Sequence, residues 1–242
     1  PVTKLENVFS EYTTQLELKL TAANRSNNEL HPNQWVSGQY STVFNNVEFG
    51  SQDGWQNGKL VLKAGESIDI NYAPLATKGP KTIEITFSTA NVIDENETIM
   101  SLSNGVGYKI TASGALLTAS DGSKIETKFK SGEEHKIAAI INSATGVSDA
   151  ALAFFVVDGV LDRAVNYDVY ADFINPNTIH IGGTGCDVLI KSIRIYSRAL
   201  TEEQELGNFA VDSDNLLAIW DRNNIYAGNT SVFDIEKLAA KI

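Results

Sequence analysis

Paired carboxylates, histidines and oxygen-rich turns are the places where this sequence could carry chemistry. A retaining glycosidase needs two carboxyl groups about 5 Å apart, and alternate residues of a strand can supply them. Ser67-Ile68-Asp69-Ile70-Asn71, preceded by Glu66, comes nearest. Asp69 is in place, but Ser67 and Asn71 stand where the flanking carboxylates belong, so Asp69 is expected to be an ordinary strand or turn residue. There are three histidines: His31 before Pro32 in a loop, His135 at the start of a strand, and His180 in a strand leading into Gly182-Gly183. They show no H-x-H or H-x₃-H spacing for a metal and no G-x-S-x-G elbow for a nucleophile, so each is expected to be structural. Cys186 is the single cysteine, which excludes an internal disulfide and a cysteine-based zinc site. "GGTG" runs from one strand into another, so no helix N-terminus is available to hold phosphate, and its glycines are expected to serve positive φ in a hairpin. No catalytic residue is assigned, and the chain is not expected to be an enzyme.

Two binding chemistries survive. A sugar stacks its C–H face on an exposed ring while its hydroxyls take Asn, Asp or backbone partners. The residues that match are Asp53 and Trp55 in "SQDGWQN", Asn104 and Tyr108 in "SNGVGY", and Tyr167 and Tyr170 in "NYDVYADF". Calcium is the one inorganic candidate, because it takes six to eight oxygens, many from backbone carbonyls. Asp168 and Asp172 are the metal candidates, with Asp53, Asp94 and Glu95 in similar turns; no other cofactor is implied.

The elements that must position these residues are strands. "KTIEITF" sets Ile83, Ile85 and Phe87 on one face and Thr82, Glu84 and Thr86 on the other, and "LELKLTA" alternates in the same way. "HKIAAIIN" and "ALAFFVVDG" are continuous apolar runs, as in strands covered on both sides. Gly and Asx turns separate the runs, which predicts an all-β sandwich of more than ten short strands. In "IKSIRIYSRALTEEQELGNF", Ile193 and Ile195 alternate with Ser192, Arg194 and Tyr196, the pattern of a half-buried strand. Thr201 and Gln204 then form a capping box that opens a short helix, with Glu202 and Glu203 at its positive end. Leu206 and Phe209 of that helix are expected to lie over a sheet edge or core rim.

Composition sets outer bounds. The chain has 242 residues and a formal net charge of −11. Clustered Lys and Arg are thin, which argues against nucleic acid and against an anionic membrane surface. Residues 1–13 read as a connecting segment with weak helical spacing, residues 14–212 as the sandwich, and residues 213–242 as a linker and helix. The opening on Pro1 and the uncapped final helix are what a piece of a longer polypeptide would show.

The closing stretch "RIYSRALTEEQ" resembles the end of laminin-G-like, concanavalin A-like jelly-roll domains, a strand of the form I-x-x-V-R-I-Y-N-R-A-L-S followed by a Glu-rich helical turn. "GEEHKIAAIIN" is similar to the family's W-H-x-V-A strand, with His135 matching and Glu134 replacing Trp. "FFVVDGVLDRAV" resembles its LYVDGKLV hairpin and "TIHIGG" its LRIGG strand. "LTAANRSNNELHPNQW", followed by a strand and "DGW", is similar to such modules in structural proteins of tailed bacteriophages. The chain departs from the pattern at Val188, where Gly is frequent, and at Lys191, where an acid is usual; no position matches the family's calcium ligands.

The resemblance implies a jelly roll of two antiparallel sheets, a short helix after the last strand and a helical C-terminal tail. It implies a carbohydrate-binding or adhesion module of a virion protein, in the tail or associated with the capsid, or else an extracellular, cell-surface one. The expected partners are a cell-surface glycan and other virion subunits, with a homo-oligomer in the intact protein. A purely architectural virion domain is the alternative. Glycoside hydrolases share the fold and rank third, because their E-x-D-x-E strand motif fails at Ser67 and Asn71.

Overall fold

A computed structural model describes residues 11–72, 80–102, 107–118, 124–141, 152–166 and 178–213. Their strands are β1 (Leu16–Thr21), β2 (Val36–Ser37), β3 (Tyr40–Asn45), β4 (Gly54–Gln56), β5 (Lys59–Leu62), β6 (Ser67–Asn71), β7 (Lys81–Ala90) and β8 (Thr98–Leu102). They continue with β9 (Tyr108–Thr111), β10 (Gly114–Thr118), β11 (Lys124–Lys128), β12 (His135–Ile141), β13 (Leu152–Val157), β14 (Val160–Asn166), β15 (Thr178–Gly182) and β16 (Asp187–Tyr196). One helix, α1 (Glu202–Ser213), follows the last strand.

The strands form two antiparallel sheets, as their alternation predicts. The first runs β14-β13-β12-β7-β16-β5-β4, with β1 pairing the far half of β16 beside β5; the second runs β11-β10-β9-β8-β15-β6-β3-β2. Ile68, Ile70, Ile179 and Ile181 of the second sheet face Ile83, Ile85, Ile193 and Ile195 of the first across one core. Two hairpins close on the Asx-Gly turns legible in the sequence. Asn57-Gly58 and Asp158-Gly159 both have left-handed φ, 51° and 74° in the first and 51° and 77° in the second, the backbone twist that a two-residue hairpin favours.

The helix starts as its residues dictate: Thr201 N donates to Gln204 Oε1 at 2.9 Å, and Gln204 N donates to Thr201 Oγ1 at 3.3 Å. It then runs for 12 residues, the short helix expected after the last strand, and its inner face finds partners. A Cβ on Gly159 would lie 3.0 Å from both Leu206 and Phe209, so these two side chains pack on the β13–β14 turn. Asn208 Nδ2 donates to Glu84 at 2.6 Å and to the Tyr196 hydroxyl at 2.9 Å. The backbone N–H of Tyr12 donates to Asn208 at 2.8 Å, which brings the segment before β1 under the same roof.

That roof corrects one expectation. Thr82, Glu84, Thr86, Ser192 and Arg194 do alternate with the core residues, but the face they occupy is covered, not open to solvent. Glu84 is 1% exposed, and Lys136 and Arg194 are each 3% exposed. Charges so deep need partners. Lys136 Nζ lies 2.9 Å from Glu84 and 3.4 Å from Asp212, while Arg194 grips Asp212 with two bonds of 2.6 and 2.7 Å and Glu11 with one of 2.6 Å. Beside this spine, Ala138, Ile140, Val156, Tyr196 and Leu200 form a small second apolar cluster.

The predicted helices within residues 1–13 and from Ser231 onward fall largely or wholly outside the described residues; of the first, only Glu11 to Thr13 are described, and they are not helical.

Candidate functional site

The second sheet has the opposite character on its outer side. Its strand register sets Val43, Asp69, His180, Ser101, Lys109, Leu116 and Glu126 in one row across seven strands from β3 to β11. Neighbours in such a row stand about 4.8 Å apart. Their strand neighbours point into the core, as Ile68, Ile70, Ile179 and Ile181 do, so the row faces outward. The His180 side chain is 46% exposed and that of Asp69 33%.

Within the row one group is fixed by its own bonds. Asp69 Oδ1 lies 2.8 Å from His180 Nδ1, and Asp69 Oδ2 accepts from Asn45 Nδ2, also at 2.8 Å. Asn45 reaches Ser67 Oγ at 3.2 Å as well. An ionised carboxylate can only accept, so the His180 proton sits on Nδ1 and Nε2 is left as the ring's second hydrogen-bonding atom. Ser101 stands directly opposite His180 on β8, and Lys109 is next on β9. The face thus offers an acceptor, an oriented imidazole, a hydroxyl, an amide and an ammonium group, bordered by the aliphatic side chains of Val43 and Leu116. Among the described residues no Phe, Tyr or Trp ring stands on it.

Taken singly along the chain, Asp69 and His180 carry no sign of a ligand. They are 111 residues apart, and only the β6–β15 register joins them. The remaining strand polar positions gave no local signal of this grouping.

The residues that were singled out lie elsewhere. Trp55 is 4% exposed: Nε1 donates to the Pro32 carbonyl at 2.7 Å, Trp35 packs edge-on at 5.2 Å, and the Arg25 guanidinium covers the ring at 4.3 Å. Tyr108 is 1% exposed and packs beside Phe155, and burial pushes its hydroxyl well above the ordinary tyrosine range. Both are therefore core residues and not sugar platforms, because each turn that looks like a loop folds its ring inward. Asp53 is buried too. Burial would raise its carboxyl, but the N–H groups of Glu48 and Gly50 outweigh that and hold it below the usual carboxylate value. Its oxygens are spent on that turn, which corrects its expected role as a ligand. Asn104, Tyr167, Asp168, Tyr170 and Asp172 lie outside the described residues. The chain reaches Asp53 from the end of β3, where Asn45 pairs Ser67, whereas β15 starts at Thr178 beside Asn71, at the other end of the sheet. Among the described residues no group of three or more His, Cys, Asp or Glu is placed to hold a metal ion.

His135 is structural, as expected. Nδ1 lies 2.8 Å from Asp158 and Nε2 2.8 Å from the Lys130 carbonyl. Burial opposes its charged form, but the bond to Asp158 outweighs it and raises the pKa. In the "GGTG" turn Gly182 has the predicted positive φ, 157°, whereas Gly183 and Gly185 need glycine for a different reason. A Cβ on Gly183 would meet Cys186 Sγ at 2.8 Å, and one on Gly185 would meet Glu97 at 2.9 Å. Close approach decides there, and neither residue has positive φ. Burial and the neighbouring Glu97 push the Cys186 thiol up to about 12.

No family model and no curated protein sequence matches the chain. Solved structures do match its fold. The ligand-binding domain of botulinum neurotoxin serotype D, in complex with N-acetylneuraminic acid, aligns with a TM-score of 0.60 at 14% identity over 84% of this chain and 52% of that one. The binding domain of botulinum neurotoxin DC in complex with SialylT gives 0.60 at 14% identity over 82% and 51%. The receptor-binding domain of botulinum neurotoxin type G gives 0.54 at 16% identity over 81% and 51%. The chain thus spans about half the length of these domains, and what it shares with them is the jelly-roll-like β-sandwich.

Proposed function

We propose that this chain is a non-catalytic glycan-binding module whose ligand lies on the open face of the second sheet. The observation that carries the proposal is the mutually bonded group of half-buried Asn45 and Asp69 with exposed His180, continued by half-buried Ser101 and Lys109. Sugar hydroxyls both donate and accept, and this group supplies both functions at strand spacing. Its internal bonds orient the side chains before a ligand arrives, which reduces the entropy lost on binding. The neurotoxin domains solved with N-acetylneuraminic acid and with SialylT support the glycan class. Two-carboxylate hydrolysis is disfavoured, because Asp69 is flanked by Val43 and His180 across the sheet and by Ser67 and Asn71 along its strand.

With no Phe, Tyr or Trp ring to stack on the described face, a single site binds weakly, and display in many copies raises the avidity. That suits a module repeated on a particle. We therefore assign it to a phage tail or other virion structural protein, as a homo-oligomer among further subunits, with a bacterial cell-surface adhesin as the nearest variant.

Glycan-array binding of the multivalently displayed protein, with calcium and with chelator, tests the proposal. Binding that survives chelator and is lost in His180→Ala, with melting unchanged, is the expected result. Binding lost in chelator but intact in His180→Ala moves the site to acidic turns such as the one holding Asp168 and Asp172. Silence in both conditions from folded protein favours a purely architectural domain.

A further inference from the structure

Among the described residues, six of the ten lysines are neutralised by a carboxylate neighbour. Lys19, Lys59, Lys63, Lys130, Lys136 and Lys191 each form an ion pair with a carboxylate. Lys109, Lys124 and Lys128 form none among the described residues, and all three stand on β9 and β11 of the open face. The register sets Lys109 beside Leu116, and Leu116 beside Glu126, with Lys124 and Lys128 two residues to either side of that glutamate. The strip carries three lysines against one glutamate in a protein whose formal net charge is −11. A carboxylate surplus elsewhere makes the exception pointed: among the described residues only Glu126 of those acids stands in the strip.

We infer that this strip selects an acidic glycan, a polymer bearing carboxylate or sulfate groups, laid from His180 across β8, β9 and β10 to β11. The inference rests on the glycan-binding proposal and names the ligand class within it. Four strand spacings separate β15 from β11, about 19 Å, longer than a single sugar ring. Lys124 and Lys128 lie about 13 Å apart along β11, so an extended chain meets them as separate contacts. His180 and Ser101 take hydroxyls at one end, and the ammonium groups take the anions at the other. The repulsive surface charge of the remainder keeps polyanions off other faces.

The 242-residue protein is titrated with polygalacturonate, chondroitin sulfate and neutral dextran at 50 and 300 mM NaCl (chosen on the order of the Debye length change from about 14 to 6 Å). An acidic polymer is expected to bind, to weaken at the higher salt, and to bind about tenfold more weakly to the triple variant Lys109→Gln, Lys124→Gln, Lys128→Gln. Lys130→Gln, which removes an exposed lysine paired with Glu133 on the rim, is expected to change nothing. Equal binding of dextran, insensitive to salt, overturns the acidic class and leaves the glycan-binding proposal standing. Equal loss in Lys130→Gln, or equal capture of double-stranded DNA, shows unspecific polyanion attraction and overturns the strip. Absence of binding to any polymer overturns both.

Discussion

Glu84, Lys136 and Arg194 stand on the outer face of the first sheet much as Asp69, His180 and Lys109 stand on that of the second. Both sets occupy alternate strand positions whose neighbours fill the core. Their surroundings differ because α1 and the segment at Tyr12 cover the first face, while the described residues leave the second uncovered. On the covered face the charges are bound up with one another and are structural. On the open face Asp69, His180 and Asn45 bond to each other and still present atoms outward. The comparison teaches that a polar stripe acquires its role from what lies over it.

Removing the charge that holds the roof should have the largest effect. Arg194→Ala leaves Asp212, Glu84 and Glu11 without their guanidinium, and breaking a buried ionic group in this way costs about 3–5 kcal/mol. Urea unfolding should show that loss, and hydrogen exchange of the α1 amides should accelerate. A stability change under 1 kcal/mol (a value roughly that of an exposed pair) would mean the roof is held by its apolar contacts alone. Leu206→Asp comes next, at about 2 kcal/mol, because it puts a carboxylate against the β13–β14 turn at Gly159. It should leave glycan binding intact. Wild-type melting, or lost binding at full stability, would contradict the packing assigned to α1.

What was legible in the sequence followed from local rules. Strand alternation, the Asp158-Gly159 turn and the Thr201/Gln204 cap all depend on residues within a few positions of each other, and all appear in the fold. What lies over a strand depends on distant segments. Arg194 is covered partly by Asp212 and Glu11, and nothing in "IRIY" announces either. The burial of Trp55 is hidden for a related reason: a turn sequence signals where the backbone bends, but not that Arg25, 30 residues earlier, closes over the ring. The candidate site depends on three strands meeting in register, so Asp69 and His180 looked unremarkable separately.

The pH dependence of the roof sharpens the contrast. Glu205 is 1% exposed; burial, and then the charge of Glu84, raise its pKa well above the ordinary value. The folded protein therefore holds a proton that the unfolded chain releases above about pH 4.3. A group raised in the fold favours folding below its unfolded pKa and loses that contribution as pH rises through its folded one. Glu205→Gln keeps the shape without the titration. Its stability relative to wild type should increase as pH rises above the unfolded value of about 4.3 and level off once the folded carboxyl ionises, read by chemical denaturation at successive pH values. A constant difference would show Glu205 ionised in the fold, with Lys136 at 3.7 Å as its counterion.

The smallest effect on stability should come from the open face, where it carries the most functional weight. His180→Ala removes one exposed ring and its bond to Asp69, and substitutions of this kind stay within about 0.5 kcal/mol. His180→Gln should retain part of the binding, because its amide can still meet a hydroxyl, whereas Asp69→Asn should weaken binding by freeing the imidazole from a single orientation. Measured side by side with Arg194→Ala, the series separates the two faces: one loses stability with binding limited only by the folded fraction, and the other loses binding in a fully folded protein. If His180→Ala proved as destabilising as Arg194→Ala, Asp69 and His180 would belong with the structural charges of the first sheet, and the ligand would have to be sought at the loops.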